Sequence, residues 1–150
     1  MNYRKLGKTK LNVSEVGLGC WELGGETTIN GIPLTYGQVH KNSASKIIQT
    51  SIKMGINVFD TADTYSLGNS EKRIGNEIKK FKKKINIFTK GGIIPAQNTP
   101  LPVEIDLSYE YLLSSIKRSL IRLQTKKISL FQAHKPPKNE NELNELKKNI

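Results

Sequence analysis

The sequence predicts an α/β fold in which parallel strands alternate with helices, and three observations carry that prediction. First, short apolar runs alternate with helical segments along the 150 residues. Such alternation implies a parallel sheet with helices packed outside it. Second, these runs end in polar side chains. Val58-Phe59 ends at Asp60, Ile85-Asn86-Ile87-Phe88-Thr89 at Lys90, and Ile128 to Ala133 at His134, while Tyr65 follows in the loop after the first. Third, strand side chains alternate in direction. Val58 therefore sides with Asp60, Phe88 with Lys90 and Gln132 with His134, so the polar ends can face one mouth. Functional side chains gathered from the ends of several parallel strands are the mark of a (β/α)₈ barrel. A doubly wound sheet is the rival. Its first turn would need Gly-x-Gly-x-x-Gly, and Gly17-Leu18-Gly19-Cys20-Trp21-Glu22 lacks the third glycine.

Each element has its own signal. Tyr3 to Leu6 and Leu11 to Ser14 flank Gly7-Lys8-Thr9-Lys10, which predicts an N-terminal β-hairpin. Residues 16–19 read as the first buried strand, and Cys20 to Gly25 as the loop after it. Residues 26–42 are polar and Gly-bearing and read as loop. Asn42 or Ser43 can cap a helix whose apolar face is Ala44, Ile47, Ile48 and Ile52, with Gly55 as its stop. Strand 58–62 follows. Ser70 is the next expected N-cap, with Glu71 favourable to the dipole of the first turn. Ile74, Ile78 and Phe81 form that helix's face, and lysines 79–84 read as a solvated helix end. Strand 85–89 comes next. Residues 93–107 carry prolines and no period, which predicts a long loop. Ser108 opens a helix with Tyr109, Leu112, Leu113, Ile116, Leu120 and Leu123 at helical spacing. Strand 128–133 follows, Pro136-Pro137 break the chain, and residues 140–150 begin a fourth helix.

Composition excludes several classes. The net charge is +11, yet it comes mostly from scattered lysines. The arginines, Arg4, Arg73, Arg118 and Arg122, do not form the tight cluster expected of a phosphate or base reader, so no nucleic-acid partner is expected. Cys20 is the single cysteine, so no intrachain disulfide can form. The start has no secretory apolar segment, and no apolar run approaches the ~20 residues of a membrane span. A cytoplasmic protein with no membrane partner and no bound metal is expected.

The motifs resemble the aldo-keto reductases. Arg4-Lys5-Leu6-Gly7 and Leu11 to Gly19 are similar to that family's N-terminal hairpin and first strand. Phe59-Asp60-Thr61-Ala62-Asp63-Thr64-Tyr65, followed by Gly68-Asn69-Ser70-Glu71-Lys72-Arg73-Ile74-Gly75, resembles its most specific signature. Thr89-Lys90 is similar to its lysine strand. Ser115 to Leu123 and Gln132-Ala133-His134 resemble the segments leading to its histidine. Ser66 stands where many members carry glycine, and Gln124-Thr125-Lys126-Lys127 replaces a more usual turn. Family barrels run to roughly 300 residues, within the usual barrel range. The resemblance therefore implies that residues 1–150 are the N-terminal half of a reductase domain. It would comprise a hairpin and the first four β/α units, ending in or near the fourth helix.

The resemblance also implies a chemistry. Reducing a carbonyl needs hydride at carbon and a proton at oxygen, and no side chain supplies hydride. The implied cofactor is NADPH, with most of its site beyond residue 150. Gly19, Cys20, Trp21 and Asp60 are the candidates here for its nicotinamide end. Tyr65 would give the proton. A free phenol holds its proton to about pH 10, and an ammonium beside it, Lys90, would stabilise the phenolate. Asp60 would hold Lys90, and His134 would orient the carbonyl of a small substrate against Trp21. Each residue alone also has an ordinary reading: a turn cap, a rim tyrosine, a surface lysine, a structural histidine. An inactive relic, or a regulatory or binding subunit of the same fold, is the alternative to an enzyme. Half a barrel leaves two open sheet edges, so self-association or a complementing C-terminal half is expected.

Overall fold

A four-stranded parallel sheet organises the chain. The computed structural model describes residues 1–29, 31–95, 103–137 and 139–148. The chain opens with strands β1 (Tyr3–Lys5) and β2 (Asn12–Ser14), then β3 (Leu18–Gly19) and a 3₁₀ turn at Glu22–Gly24. Next come β4 (Thr28–Ile29), β5 (Ile32–Pro33), α1 (Lys41–Lys53), β6 (Val58–Asp60) and α2 (Asn69–Ile78). The remainder is β7 (Asn86–Gly91), β8 (Ile93–Pro95), β9 (Val103–Ile105), α3 (Tyr109–Leu123), β10 (Leu130–Ala133) and α4 (Glu140–Lys148).

The sheet runs β3-β6-β7-β10, with every neighbouring pair parallel. Sequence order and spatial order agree, as expected for successive β/α units. The register places Asp60 beside Phe88 and Lys90 beside Gln132. Neighbours in register share a face, and so do residues two apart in a strand. Asp60, Lys90 and Gln132 therefore project to one side. Phe59 and Ile87 project to the other, where they meet Ile48, Ile52, Ile74 and Leu123 of the helices in the core. Fully burying a side chain of this size contributes roughly 1.5–3 kcal/mol. β3 and β10 are the sheet's outer strands.

The N-terminal hairpin forms as expected, with Tyr3 opposite Ser14. It is fastened below the sheet: the Tyr3 hydroxyl donates to Gly55 O at 2.9 Å, and Asn57 Nδ2 donates to Asn12 O at 3.0 Å.

Several boundaries differ from expectation. Residues 26–42 contain the antiparallel hairpin β4–β5, with Gly31 at φ +78°. Residues 93–107 contain a second antiparallel pair, β8–β9. Helix α1 begins at Lys41 after His40, before the expected Asn42 or Ser43 cap, and Ile47 is 40% exposed because the helix faces the core with Ala44, Ile48 and Ile52. Helix α2 begins at Asn69 after Gly68, not after Ser70. Ser70 is buried inside the helix, where its hydroxyl donates to Cys20 O at 2.7 Å. That helix ends at Ile78, so Phe81 packs on the core from the following segment, and the lysines 79–84 form the approach to β7.

Ser108 does cap α3, its hydroxyl accepting from Tyr111 N at 3.3 Å. Glu71 was expected to act on the helix dipole. It is instead wholly buried, and its carboxylate accepts from Arg122 Nε at 2.6 Å and from Thr89 Oγ1 at 2.7 Å. One side chain thus joins α2 to α3 and to β7. Among the described residues no helix is long and apolar enough to cross a membrane.

Candidate active site

Backbone hydrogen bonds carry the parallel ladder past the ends of the strands. Thr61 N donates to Phe88 O at 2.8 Å, Asp63 N to Lys90 O at 3.0 Å, and His134 N to Gly91 O at 2.8 Å. These bonds draw the loop after β6 and the start of the segment after β10 over the end of β7. Tyr65 and His134 arrive above Lys90 for that reason.

Lys90 is the centre of the site. Its ammonium donates to Asp60 Oδ1 at 2.5 Å, to Thr61 O at 2.9 Å and to the Tyr65 hydroxyl oxygen at 3.2 Å. An ammonium has three protons, so all are engaged. The lysine side chain is 15% exposed, whereas Asp60 is 41% exposed. The cation is therefore held inside a mouth whose carboxylate still reaches solvent.

His134 stands on the other side of Tyr65. The two rings meet edge to face at 5.6 Å, and Nδ1 lies 3.4 Å from Thr64 Oγ1. Burial lowers the His134 pKa to about 4, and the Lys90 and Lys135 cations push the same way against Asp60. The imidazole is therefore neutral near pH 7, with one N–H to donate.

Trp21 covers the remaining face of Tyr65. The rings stack at 6.1 Å with 27° between planes, and Tyr36 meets Trp21 edge-on at 5.1 Å. Together they bound a cavity of about 510 Å³ whose walls include Ile29, Leu34, Tyr65 and His134. That size suits a small organic ligand.

The four expected catalytic residues, Asp60, Tyr65, Lys90 and His134, are thus brought together, and Trp21 joins them. Gly19 and Asp60 remain open at the strand ends, and a Cβ on Gly19 would meet nothing within 4 Å. Gly19, Trp21 and Asp60 consequently leave room for a flat ring to approach. Cys20 does not. It is fully buried, its thiol donates to Leu18 O at 3.3 Å, and burial with the nearby Asp60 carboxylate holds its pKa far above the ordinary thiol range. The Cys20 side chain lies in the core cluster, so contact with a cofactor there is left to its backbone.

Sequence reasoning missed the cavity wall. Ile29, Leu34 and Tyr36 lie in the segment read as loop, and Thr64 was not singled out. The signal was present: Asn30-Gly31 between Ile29 and Ile32 is a strong short-range hairpin cue. Arg73 of α2 holds this segment down, donating to Leu23 O at 2.7 Å and Val39 O at 2.9 Å. Among the described residues no group of His, Cys, Asp and Glu is placed to hold a metal ion.

Known proteins share this fold. The model of the aldo/keto reductase family matches residues 15–148. The chain is 37% identical over 134 residues to the uncharacterized oxidoreductase YqkF of Bacillus subtilis, covering 89% of this chain and 39% of that protein. It is 28% identical over 141 residues to the aldo-keto reductase YhdN of the same organism, covering 91% of this chain and 38% of that protein. Among solved structures, the holo form of aldo-keto reductase AKR11C1 from Bacillus halodurans superposes with a TM-score of 0.81 at 32% identity, covering 99% of this chain and 45% of that one. The chain thus spans about two fifths of the length of the curated relatives it matches. These structural neighbours are (β/α)₈ barrels, and the parallel β/α units described above form part of one. With the signature loop, the lysine strand and the histidine in place, the chain belongs to the aldo/keto reductase family.

Proposed function

We propose that this chain carries the proton-transfer corner of an NADPH-dependent reductase that converts aldehydes or ketones to alcohols within a closed barrel. The observation that carries the proposal is the Lys90 ammonium, held by Asp60 and set 3.2 Å from the Tyr65 hydroxyl. NADPH, when bound, supplies the hydride to the carbonyl carbon. Gly19, Trp21 and Asp60 are the residues of this chain that would hold its nicotinamide end.

The chain's own residues manage the oxygen. Tyr65 gives its phenolic proton to the carbonyl oxygen as negative charge develops there, and general acid catalysis of this kind contributes roughly 10²–10⁴-fold. Lys90 stabilises the phenolate left behind, and Asp60 fixes the ammonium in place. Neutral His134 donates its N–H to the same oxygen and orients it. A donor so aimed is commonly worth ~3–4 kcal/mol. Trp21 and Tyr36 shield the carbonyl from water. The phenolate then recovers a proton from solvent. We place the reaction in the cytoplasm.

The test is NADPH consumption with a small aldehyde, using the chain joined to strands that close the barrel. Turnover that disappears in Tyr65→Phe supports the proposal. Undiminished turnover in that variant overturns it.

A second reading, a non-catalytic binding module of the same fold, is favoured by one observation: β3 and β10 are the outer strands of the described sheet. In that case the outer strands β3 and β10 would serve to dock a complementing half or a second copy.

A further inference from the structure

Tyr65 is flanked by residues that bond to distant segments of the chain. Ser66 and Leu67 both take positive φ, at +49° and +52°, and Gly68 follows at +83°. Side chains with a Cβ rarely adopt this left-handed region and persist there only where the surroundings enforce it. The enforcing contacts are visible. The Ser66 hydroxyl donates to Gly25 O at 2.6 Å, and Asn69 Nδ2 donates to Gly24 O. Ser66 is 8% exposed, and a Cβ on Gly24 would collide with its oxygen. Gly24 and Gly25 end the short loop that begins at Trp21. One serine hydroxyl therefore joins the tyrosine loop to the tryptophan loop.

The other flank is tied to a helix. Asp63 Oδ2 accepts from Ser115 Oγ of α3 at 2.6 Å. Ser115 is fully buried against Gly91 at the end of β7, where a Cβ on the glycine would strike its hydroxyl. The second carboxylate oxygen of Asp63 is buried with no hydrogen-bond partner among the described residues. A carboxylate kept half-satisfied away from water is costly, so its single bond to Ser115 marks a position maintained by the surrounding packing.

We propose that Ser66 and Asp63 are positioning residues that bracket Tyr65, Ser66 by tying its loop to Trp21's and Asp63 by tying it to α3. The bracket keeps the phenol stacked on Trp21 and its hydroxyl beside Lys90. Its catalytic consequence rests on the proposed reductase reading, but its structural consequence does not.

Trp21 is the sole tryptophan, so its fluorescence and its quenching by acrylamide report the Trp21–Tyr65 contact without cofactor or turnover. Three sets of variants separate the effects. Ser66→Ala loses the hydroxyl and keeps the strained backbone; it should lower the thermal midpoint and raise the quenching constant. Ser66→Gly loses the hydroxyl but relaxes the backbone. It should recover the midpoint relative to Ser66→Ala while the quenching constant stays raised. Asp63→Asn keeps an acceptor for Ser115 and should quench as wild type, whereas Asp63→Leu and Ser115→Ala should not. In the closed barrel, Asp63→Leu should lower kcat by up to about 10²-fold with the KM for NADPH unchanged, as expected for an ångström-scale misplacement. Wild-type quenching in Ser66→Gly, or in both Asp63→Leu and Ser115→Ala, overturns the bracket. If wild type shows no turnover while the quenching pattern holds, the reductase reading fails and the bracket stands.

Discussion

The Lys90 ammonium lies 3.2 Å from the hydroxyl of Tyr65 while bonded to Asp60. This contact joins a residue of β7 to one in the loop after β6, and the register of those two strands sets their separation. A phenol beside a fixed cation can release its proton to an oxygen that is gaining charge.

Tyr65→Phe keeps the ring that stacks on Trp21 and removes only the hydroxyl. In the closed barrel it should lose turnover by ~10²–10⁴-fold while NADPH affinity changes little. Steady-state kinetics on a small aldehyde, with a separate cofactor titration, checks both halves of that expectation.

Lys90→Met removes the cation but retains an unbranched apolar stem. It should depress kcat by ~10²-fold or more, because the phenolate is left without its counter-charge. Asp60→Asn, which keeps an acceptor for Lys90, should cost less. Comparing kcat for the two variants at fixed pH tests the order.

His134 yields a pH prediction. Its folded pKa, about 4, lies below the ordinary value of 6.5. Between those values the unfolded chain binds the proton more readily than the folded one. The stability contributed by neutral His134 is therefore fully present above pH 6.5 and is lost as pH falls through about 4. His134→Gln should flatten the acid side of the stability profile in that window. Chemical denaturation from pH 7 to pH 4, together with an NMR titration of the imidazole, measures it.

The Glu71–Arg122 pair offers a stability test. Glu71 is 0% and Arg122 16% exposed. Arg122→Met leaves a buried carboxylate uncompensated and should cost about 3–5 kcal/mol. Adding Glu71→Gln should recover part of the loss. Urea denaturation of the single and double variants would expose an additive result, which would mean that the two side chains do not act as a pair.

The 150-residue chain should self-associate or bind a hydrophobic dye, because β3 and β10 are outer strands of a sheet whose relatives close into a barrel. A monomeric sedimentation profile with a cooperative transition and no dye binding would count against this.

The strand order and the polar cluster of Asp60, Tyr65, Lys90 and His134 were legible in the sequence because strand alternation is local. Once residues 58–60 and 86–91 are strands, Asp60 and Lys90 must share a face and Phe59 and Ile87 must share the other. Likewise, Ser108 announced α3 because a cap acts within one turn. Other features depend on partners far along the chain. Whether Cys20 turns to the mouth or to the core is decided by where α2 packs. Glu71 is read as a dipole-facing carboxylate until α3 places Arg122 against it, 51 residues away. The positive φ of Ser66 persists because Gly25, 41 residues earlier, accepts its hydroxyl. The wall formed by Ile29, Leu34 and Tyr36 closes a cavity only when Arg73 pins its segment beside Tyr65. Periodicity records which way a side chain points relative to its own strand or helix. What stands opposite it is settled by packing between elements, where burial and hydrogen-bond satisfaction act across the whole chain.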